Sequence, residues 1–253
     1  MYNIELIIPV YNGFRGVPGS AWMEQSINSA ITFRTPDTHI IIVDDGSVDG
    51  SGEFISGYKN FDFIDVITLR ENKGISSAMN IGVLSSTCQY IVSLSCDDLL
   101  PPNKIRSQSE YLNVNSSCAM VGGQEITIND LGELIANGNL AVGRLDFRNG
   151  DDIKKHLFNG GCWNLGPMFR RDKLIEVGLY DEENFAFYSE DYDMLLRMAE
   201  RYDFGFIDIT TYITRSSTSG REQQSLNRDL HQSFTREAFK RSLVRRGMLD
   251  GKI

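Results

Sequence analysis

Histidine is rare in this chain, with three residues in 253, and the four cysteines (Cys88, Cys96, Cys118 and Cys162) show no CxxC spacing. That argues against a zinc-ribbon or disulfide scaffold and predicts reduced, mostly buried thiols. Only six prolines occur, and no Gly/Ser-rich or low-complexity run interrupts the sequence. Two freely linked domains are therefore not expected. No apolar run approaches the roughly 20 residues of a membrane span. The first ten residues carry Glu5 and no basic cluster, so they do not read as a secretion signal, and a soluble, cytoplasmic protein is expected. Positive charge is in the minority: 25 Lys and Arg against 34 Asp and Glu leave −9. An acidic surface makes nucleic acid a poor partner. Residues 221–253 reverse the balance, with eight basic and four acidic side chains.

What is present is an ordinary globular composition, 41% hydrophobic and 23% charged. Four short apolar runs rich in β-branched residues, Ile4–Val10, His39–Val43, Phe63–Leu69 and Tyr90–Leu94, have the length of strands. Helical patterns lie between and after them at Ala21–Phe33 and Ile75–Leu84, and Pro101-Pro102 is read as opening a helix to about Asn113. Strand and helix in alternation predict an α/β fold with a largely parallel sheet. Further on, Cys118–Ile128, Glu133–Val142 and Phe204–Ile213 read as strands and Asp191–Tyr202 as a helix.

In open parallel sheets ligands bind beyond the carboxyl ends of the strands. The four runs end in Pro9-Val10-Tyr11-Asn12, Asp44-Asp45-Gly46-Ser47, Arg70-Glu71-Asn72-Lys73-Gly74 and Ser95-Cys96-Asp97-Asp98. Four polar exits, two holding paired carboxylates, predict one ligand crevice rather than four solvated turns. Neighbouring carboxylates call for a cation, and an oxygen-rich, histidine-poor site suits Mg²⁺ or Mn²⁺. A Rossmann dehydrogenase would need Gly-x-Gly-x-x-Gly after the first strand, and Gly13, Gly16 and Gly19 are spaced differently.

These exits, together with the Asp44-to-Gly50 stretch, the run from Asn72 to Gly82 and Glu190-Asp-Tyr-Asp-Met-Leu-Leu-Arg197, follow the order and spacing of family 2 inverting glycosyltransferases. The chain resembles that family over roughly residues 4–219. The resemblance implies a GT-A fold, a single Rossmann-like nucleotide-binding domain with a mixed, mainly parallel central sheet. Residues 1–219 would form it, with 1–100 as the nucleotide-sugar half and 101–219 as the acceptor-side half, followed by a basic helical tail at 220–253. The implied reaction moves a sugar from a nucleoside-diphosphate donor, a UDP-sugar foremost, to a hydroxyl of a glycan or lipid-linked acceptor. A non-catalytic nucleotide- or glycan-binding member is the alternative, suggested by Ser95 and Arg215 where the family often has Asp and His.

Residue by residue, the resemblance implies that Tyr11 packs on the base beside the backbone of Pro9 and Val10. Asp45, and with less weight Asp44, accepts the base N–H, although Asp44 equally reads as a cap on its turn. Asn72 and Gly74 close over the base, and Lys73 or Arg70 either reaches the nucleotide or is solvated. Asp98 would ligate the divalent metal, with Asp97 on the ribose or the metal's water shell. Asp191 would be the general base, rather than only an acidic residue favoured at a helix start. Arg215 would clamp the diphosphate. Trp163, within Gly160–Arg171, either stacks on a sugar or sits in the core. The tail repeats Leu226, Leu230, Phe234 and Ala238 every fourth residue, which reads as a helix packed on the domain with a solvated basic face, or else as a peripheral membrane contact at the inner face.

Overall fold

The computed structural model describes residues 3–14, 21–135, 147–161, 166–216 and 228–249. Seven strands form one sheet: β1 (Ile4–Val10), β2 (Thr38–Asp44), β3 (Ile64–Thr68), β4 (Tyr90–Ser93), β5 (Cys118–Ile128), β6 (Met168–Arg170) and β7 (Asp203–Arg215). Their order is β3-β2-β1-β4-β6-β5-β7. The pairs from β3 to β4 are parallel, β6 runs antiparallel to both neighbours, and β5 and β7 are parallel again with register shifts along the pair.

The helices are α1 (Ala21–Phe33), α2 (Ser51–Ser56), α3 (Ile75–Ser85), α4 (Lys104–Val114), α5 (Gly150–Phe158), α6 (Arg171–Glu176), α7 (Glu190–Ala199) and α8 (Arg228–Arg245). Period-two alternation sends Ile4, Leu6, Ile8 and Val10 of β1 into one buried cluster, with Met23 and Ile27 of α1 and Ile105 and Leu112 of α4. Ile7 points the other way, into a cluster with Ala78 and Met79 of α3 and Met194, Leu195 and Met198 of α7. Both faces of the parallel part are thus covered, as its near-continuous apolar strands require.

Several expectations are corrected here. The Pro101-Pro102 pair precedes its helix, which begins at Lys104 after Asn103 in the left-handed region. Of the expected strand Glu133–Val142, the described part contributes a single bridge, Ile128 to Leu134, and residues 136–142 lie outside the described residues. The helix expected over Asp191–Tyr202 stops at Ala199. In the tail, Ala238 is fully buried and Phe234 half-buried, but Leu230 is 47% exposed, and Leu226 lies outside the described residues. The basic face is only partly solvated: Arg241 pairs with Glu237 at 2.8 Å, Arg245 with Glu200 at 2.8 Å, and Arg246 stacks on Phe158. Cys88 and Cys118 are buried free thiols and Cys96 is half-buried, while Cys162 lies outside the described residues. No helix among the described residues is long and apolar enough to cross a membrane.

Lys104 is fully buried, and its amine donates to Gln108 Oε1 at 2.8 Å and to the carbonyl of Gly166, which leads to the crevice wall at Pro167. Burial pulls its pKa down to about 7. The unfolded chain therefore binds the extra proton between about pH 7 and the ordinary lysine range, so this group makes stability rise with pH across that window. Lys104→Met removes the titration. Thermal unfolding at a series of pH values should show the variant gaining on the wild type as pH falls from 10 to 7; an offset constant with pH would contradict this.

Candidate active site

The ends of strands β1 and β4 and the N-terminus of α7 converge on one crevice. Its inner part is a cavity of about 100 Å³ lined by Pro9 of β1, Ser95 after β4, Pro167 before β6, Tyr212 of β7, and Glu190 and Asp191 of α7. Residues far apart in sequence meet here because a parallel sheet aligns its strand exits on one edge.

On the β1–β2 side, Tyr11 is 39% exposed. Asn12 adopts φ 49° and is held by its own N–H to Ser47 Oγ and by the N–H of Val48 to its Oδ1, each 2.9 Å. Asp44 is buried and accepts the Ser47 N–H at 3.0 Å, which is the turn-capping geometry foreseen as its second reading. Asp45 is buried and accepts the N–H groups of Lys73 and Gly74 at 2.8 Å each, one on each carboxylate oxygen. Burial raises its pKa and those two N–H groups oppose the shift. The 44–46 turn and the 70–74 loop are thereby locked together, and Gly46 and Gly74 permit it: both have positive φ, and a Cβ on Gly46 would lie 2.6 Å from the backbone of Glu71. Asn72 Oδ1 also accepts from Gly74 N–H at 3.0 Å. Arg70 and Lys73 are exposed.

After β4, Asp97 is solvent-exposed and Asp98 buried. Asp98 Oδ1 accepts the Arg215 N–H at 2.7 Å, and burial together with the charge of Asp97 pushes its pKa up to about 8. Tyr212 donates to Ser95 Oγ at 3.1 Å, and its oxygen accepts the Ser95 N–H at 3.1 Å. β7 therefore braces the carboxylate loop.

Arg215 corrects the expectation of a diphosphate clamp. Its guanidinium donates to the carbonyls of Asp97, Asn129 and Asp130 and, at 2.7 Å, to Gln25 Oε1, and it lies over the Trp22 ring. A fork so occupied ties the Asp97–Asp98 loop to α1 and the turn after β5, because four of its five donors are used within the protein. Trp163 lies outside the described residues.

Asp191 sits in the first turn of α7, fixed by the buried Met194 and Leu195 one turn and Met198 two turns further on. The crevice leaves it open to solvent while protein surrounds its other sides, and this partial desolvation raises its pKa. Glu190 beside it is raised to about 8 by burial and then by the Asp191 charge. Two adjacent carboxylates of raised pKa in a cavity form a proton acceptor able to work near neutrality.

Among the described residues no group of three or more His, Cys, Asp or Glu is placed to hold a metal. Asp97 and Asp98 nonetheless offer the oxygen donors that suit a hard divalent cation taking its other ligands from water and phosphate, although the Arg215 guanidinium beside them offsets part of their charge.

Residues 5–178 match the family described as Glycosyl transferase family 2. An uncharacterized glycosyltransferase of Rickettsia conorii is 36% identical over 203 residues, 77% of this chain and 31% of the relative. The amylovoran biosynthesis glycosyltransferase AmsE of Erwinia amylovora is 25% identical over 181 residues, 70% of this chain and 63% of that protein. The chain thus spans only part of these relatives. In structure it is similar to S. aureus TarS 1-349 in complex with UDP-GlcNAc, with TM-score 0.65, 15% identity, and coverage of 85% of this chain and 58% of that one. That likeness establishes the GT-A fold. The family match covers more than half of the chain and contains β1 to β4 with all four polar exits, and on that ground the chain belongs to glycosyltransferase family 2.

Proposed function

We propose that this chain transfers a sugar from a UDP-sugar to a hydroxyl of a glycan or glycoconjugate, with inversion, by a single displacement assisted by a divalent cation. The observation that carries the reading is the shared cavity: Pro9 and Ser95, at the exits expected to hold the nucleotide, face Asp191 across about 100 Å³. A similar structure, TarS, is described in complex with UDP and with UDP-GlcNAc, which supports uridine nucleotides as the donor class.

In this reading Tyr11 covers the base, with Pro9 and Val10 backbone beside it. Asp45 fastens the Asn72–Gly74 loop against the base-binding turn, and its carboxylate edge selects a donor N–H. Asp98, with Asp97 beside it, would hold the cation, which supplies charge neutralisation to the departing diphosphate. Asp191 takes the proton of the acceptor hydroxyl, and one positioned base suffices for inversion. Glu190 keeps the carboxylate pair proton-avid, so activity is expected to rise with pH through a midpoint above the ordinary carboxylate range.

Thermal-shift titration with UDP, with and without Mn²⁺, tests the donor side, since a ligand that binds the native state raises its apparent stability. Asp98→Asn retains an oxygen for the Arg215 N–H and removes the charge. The manganese-dependent increment in UDP stabilisation is expected to vanish in this variant while the folded state survives. An increment equal to wild type would remove Asp98 from the cation site.

A further inference from the structure

Helix α7 starts in an unusual way. Its N-cap Ser189 is a buried non-glycine residue at φ 60°, ψ 20°, and its side chain makes no capping bond to the helix. Left-handed backbone and a forfeited cap both cost stability, and such costs persist only where surrounding structure holds them. The support comes from α8. Thr235 Oγ1 donates to the His231 carbonyl at 3.0 Å, so its oxygen is left to accept from Ser189 Oγ at 2.9 Å. His231, one turn before Thr235 on the same helix face, lies against Tyr188 with ring centroids 6.1 Å apart, and Tyr188 stacks on Phe234. Ala238 and Ser242, further along that face, are fully buried. The helix is seated along its length on the element that carries Asp191.

We propose that α8 is a working part of the catalytic crevice, with Thr235 holding the strained entry of α7 and His231 serving as a positioning residue that sets the electrostatic surroundings of Asp191. The inference deepens the transferase reading and rests on it for its purpose. Among the described residues, the titratable groups that share the cavity with Asp191 are Glu190 on its own helix, Tyr180 from the preceding loop and Tyr212 from β7, and His231 of α8, against Tyr188, adds its charge from outside it. His231 alone among these carries a positive charge when protonated, and its charge acts to lower the proton affinity of Asp191 against the burial that raises it. The family match ends at residue 178, so neither α7 nor α8 falls within it. The helix that read as a tail with a basic face thus has a second, catalytic-side face.

The test uses the full chain and variants at three positions. His231 is exposed, so His231→Ala gives up its ring contact with Tyr188 and leaves the Thr235–Ser189 bond in place. In carbon-detected carboxyl NMR, with the resonance identified by its loss in Asp191→Asn, His231→Ala is expected to raise the proton affinity of Asp191 by about threefold or more. Thr235→Val is expected to speed hydrogen exchange at the Asp193 amide, which bonds to the Ser189 carbonyl at 3.0 Å, and Thr235→Ser to restore it. UDP affinity should stay at the wild-type value in all three. An Asp191 titration that superimposes on wild type in His231→Ala, or Asp193 exchange unchanged in Thr235→Val, would overturn the proposal. Failure of the wild-type chain to bind UDP would instead sink the transferase reading and leave the titration result standing.

Discussion

Asp191→Asn should lower the rate of sugar transfer by about 10³-fold, the contribution typical of one positioned acid or base, while UDP affinity is retained. The amide keeps the shape of the carboxylate and cannot take a proton. The same change should make the protein more stable at neutral pH. Asp191 and Glu190 both have proton affinities raised in the native state, so the folded protein binds more protons than the unfolded chain above the ordinary carboxylate pKa. Stability contributed by the pair is complete below that range and is lost as pH rises through the native values. Removing one charge relieves the pair, and Tm of Asp191→Asn should exceed that of wild type at pH 7 and converge with it near pH 4. Donor turnover together with calorimetric unfolding at the two pH values checks both halves. Retained turnover would place the base elsewhere, and a Tm below wild type at pH 7 would contradict the assigned electrostatics.

Gly74→Ala is expected to have the second-largest effect, and on both stability and nucleotide binding. Gly74 has φ 94°, and a Cβ there would lie 2.3 Å from the Ala186 carbonyl oxygen and 3.1 Å from the Phe187 ring. Backbone strain of roughly 1–3 kcal/mol adds to overpacking of roughly 1–3 kcal/mol. At a sensitivity of about 2–4 °C per kcal/mol for a chain of this size, Tm should fall by roughly 4–24 °C. The clash is with backbone, so relief must come from movement of the 72–74 loop. That movement breaks the Gly74 N–H bond to Asp45 Oδ2, and loss of a hydrogen bond to a charged group corresponds to about tenfold or more in UDP affinity. Thermal unfolding and UDP titration measure the two effects. A variant with wild-type Tm would mean that the loop yields freely and does not close rigidly against Ala186.

The strand pattern was readable where apolar runs are long and β-branched. β1 and β5 have the boundaries expected of Ile4–Val10 and Cys118–Ile128, and α1 those of Ala21–Phe33. β6 escaped because three residues, Met168 to Arg170, are too few to establish a period, and what makes them a strand is the slot between β4 and β5. α5 did carry a local signal, Asn149 followed by Asp151 and Asp152, and the Asn149 side chain accepts both of their N–H groups. The polar exits were legible as a set because fold geometry collects them. The partners of each residue were not. Asp45 bonds to Lys73 and Gly74, Arg215 spends its guanidinium on Gln25 and the turn after β5, and Thr235 reaches Ser189. These are contacts between elements distant in sequence, and side-chain type alone does not choose among the acceptors a folded chain brings near.

The pairing of β5 with β7 bears on how the molecule is made. Cys118 is in register with Asp203 and Ile128 with Arg215, and β6, which fills the gap between β4 and β5, arrives between them in the chain. During synthesis β1 to β4 can assemble as soon as they emerge, but β5 must wait with an open edge until the stretch after residue 203 leaves the ribosome. An eleven-residue strand with buried Ala119, Met120 and Val121 is a template for pairing with another chain while it waits. Chains cut short before β7 should therefore aggregate rather than persist as a half-sized nucleotide binder, and the vulnerable interval in the life of this protein is the time taken to translate from β5 to β7.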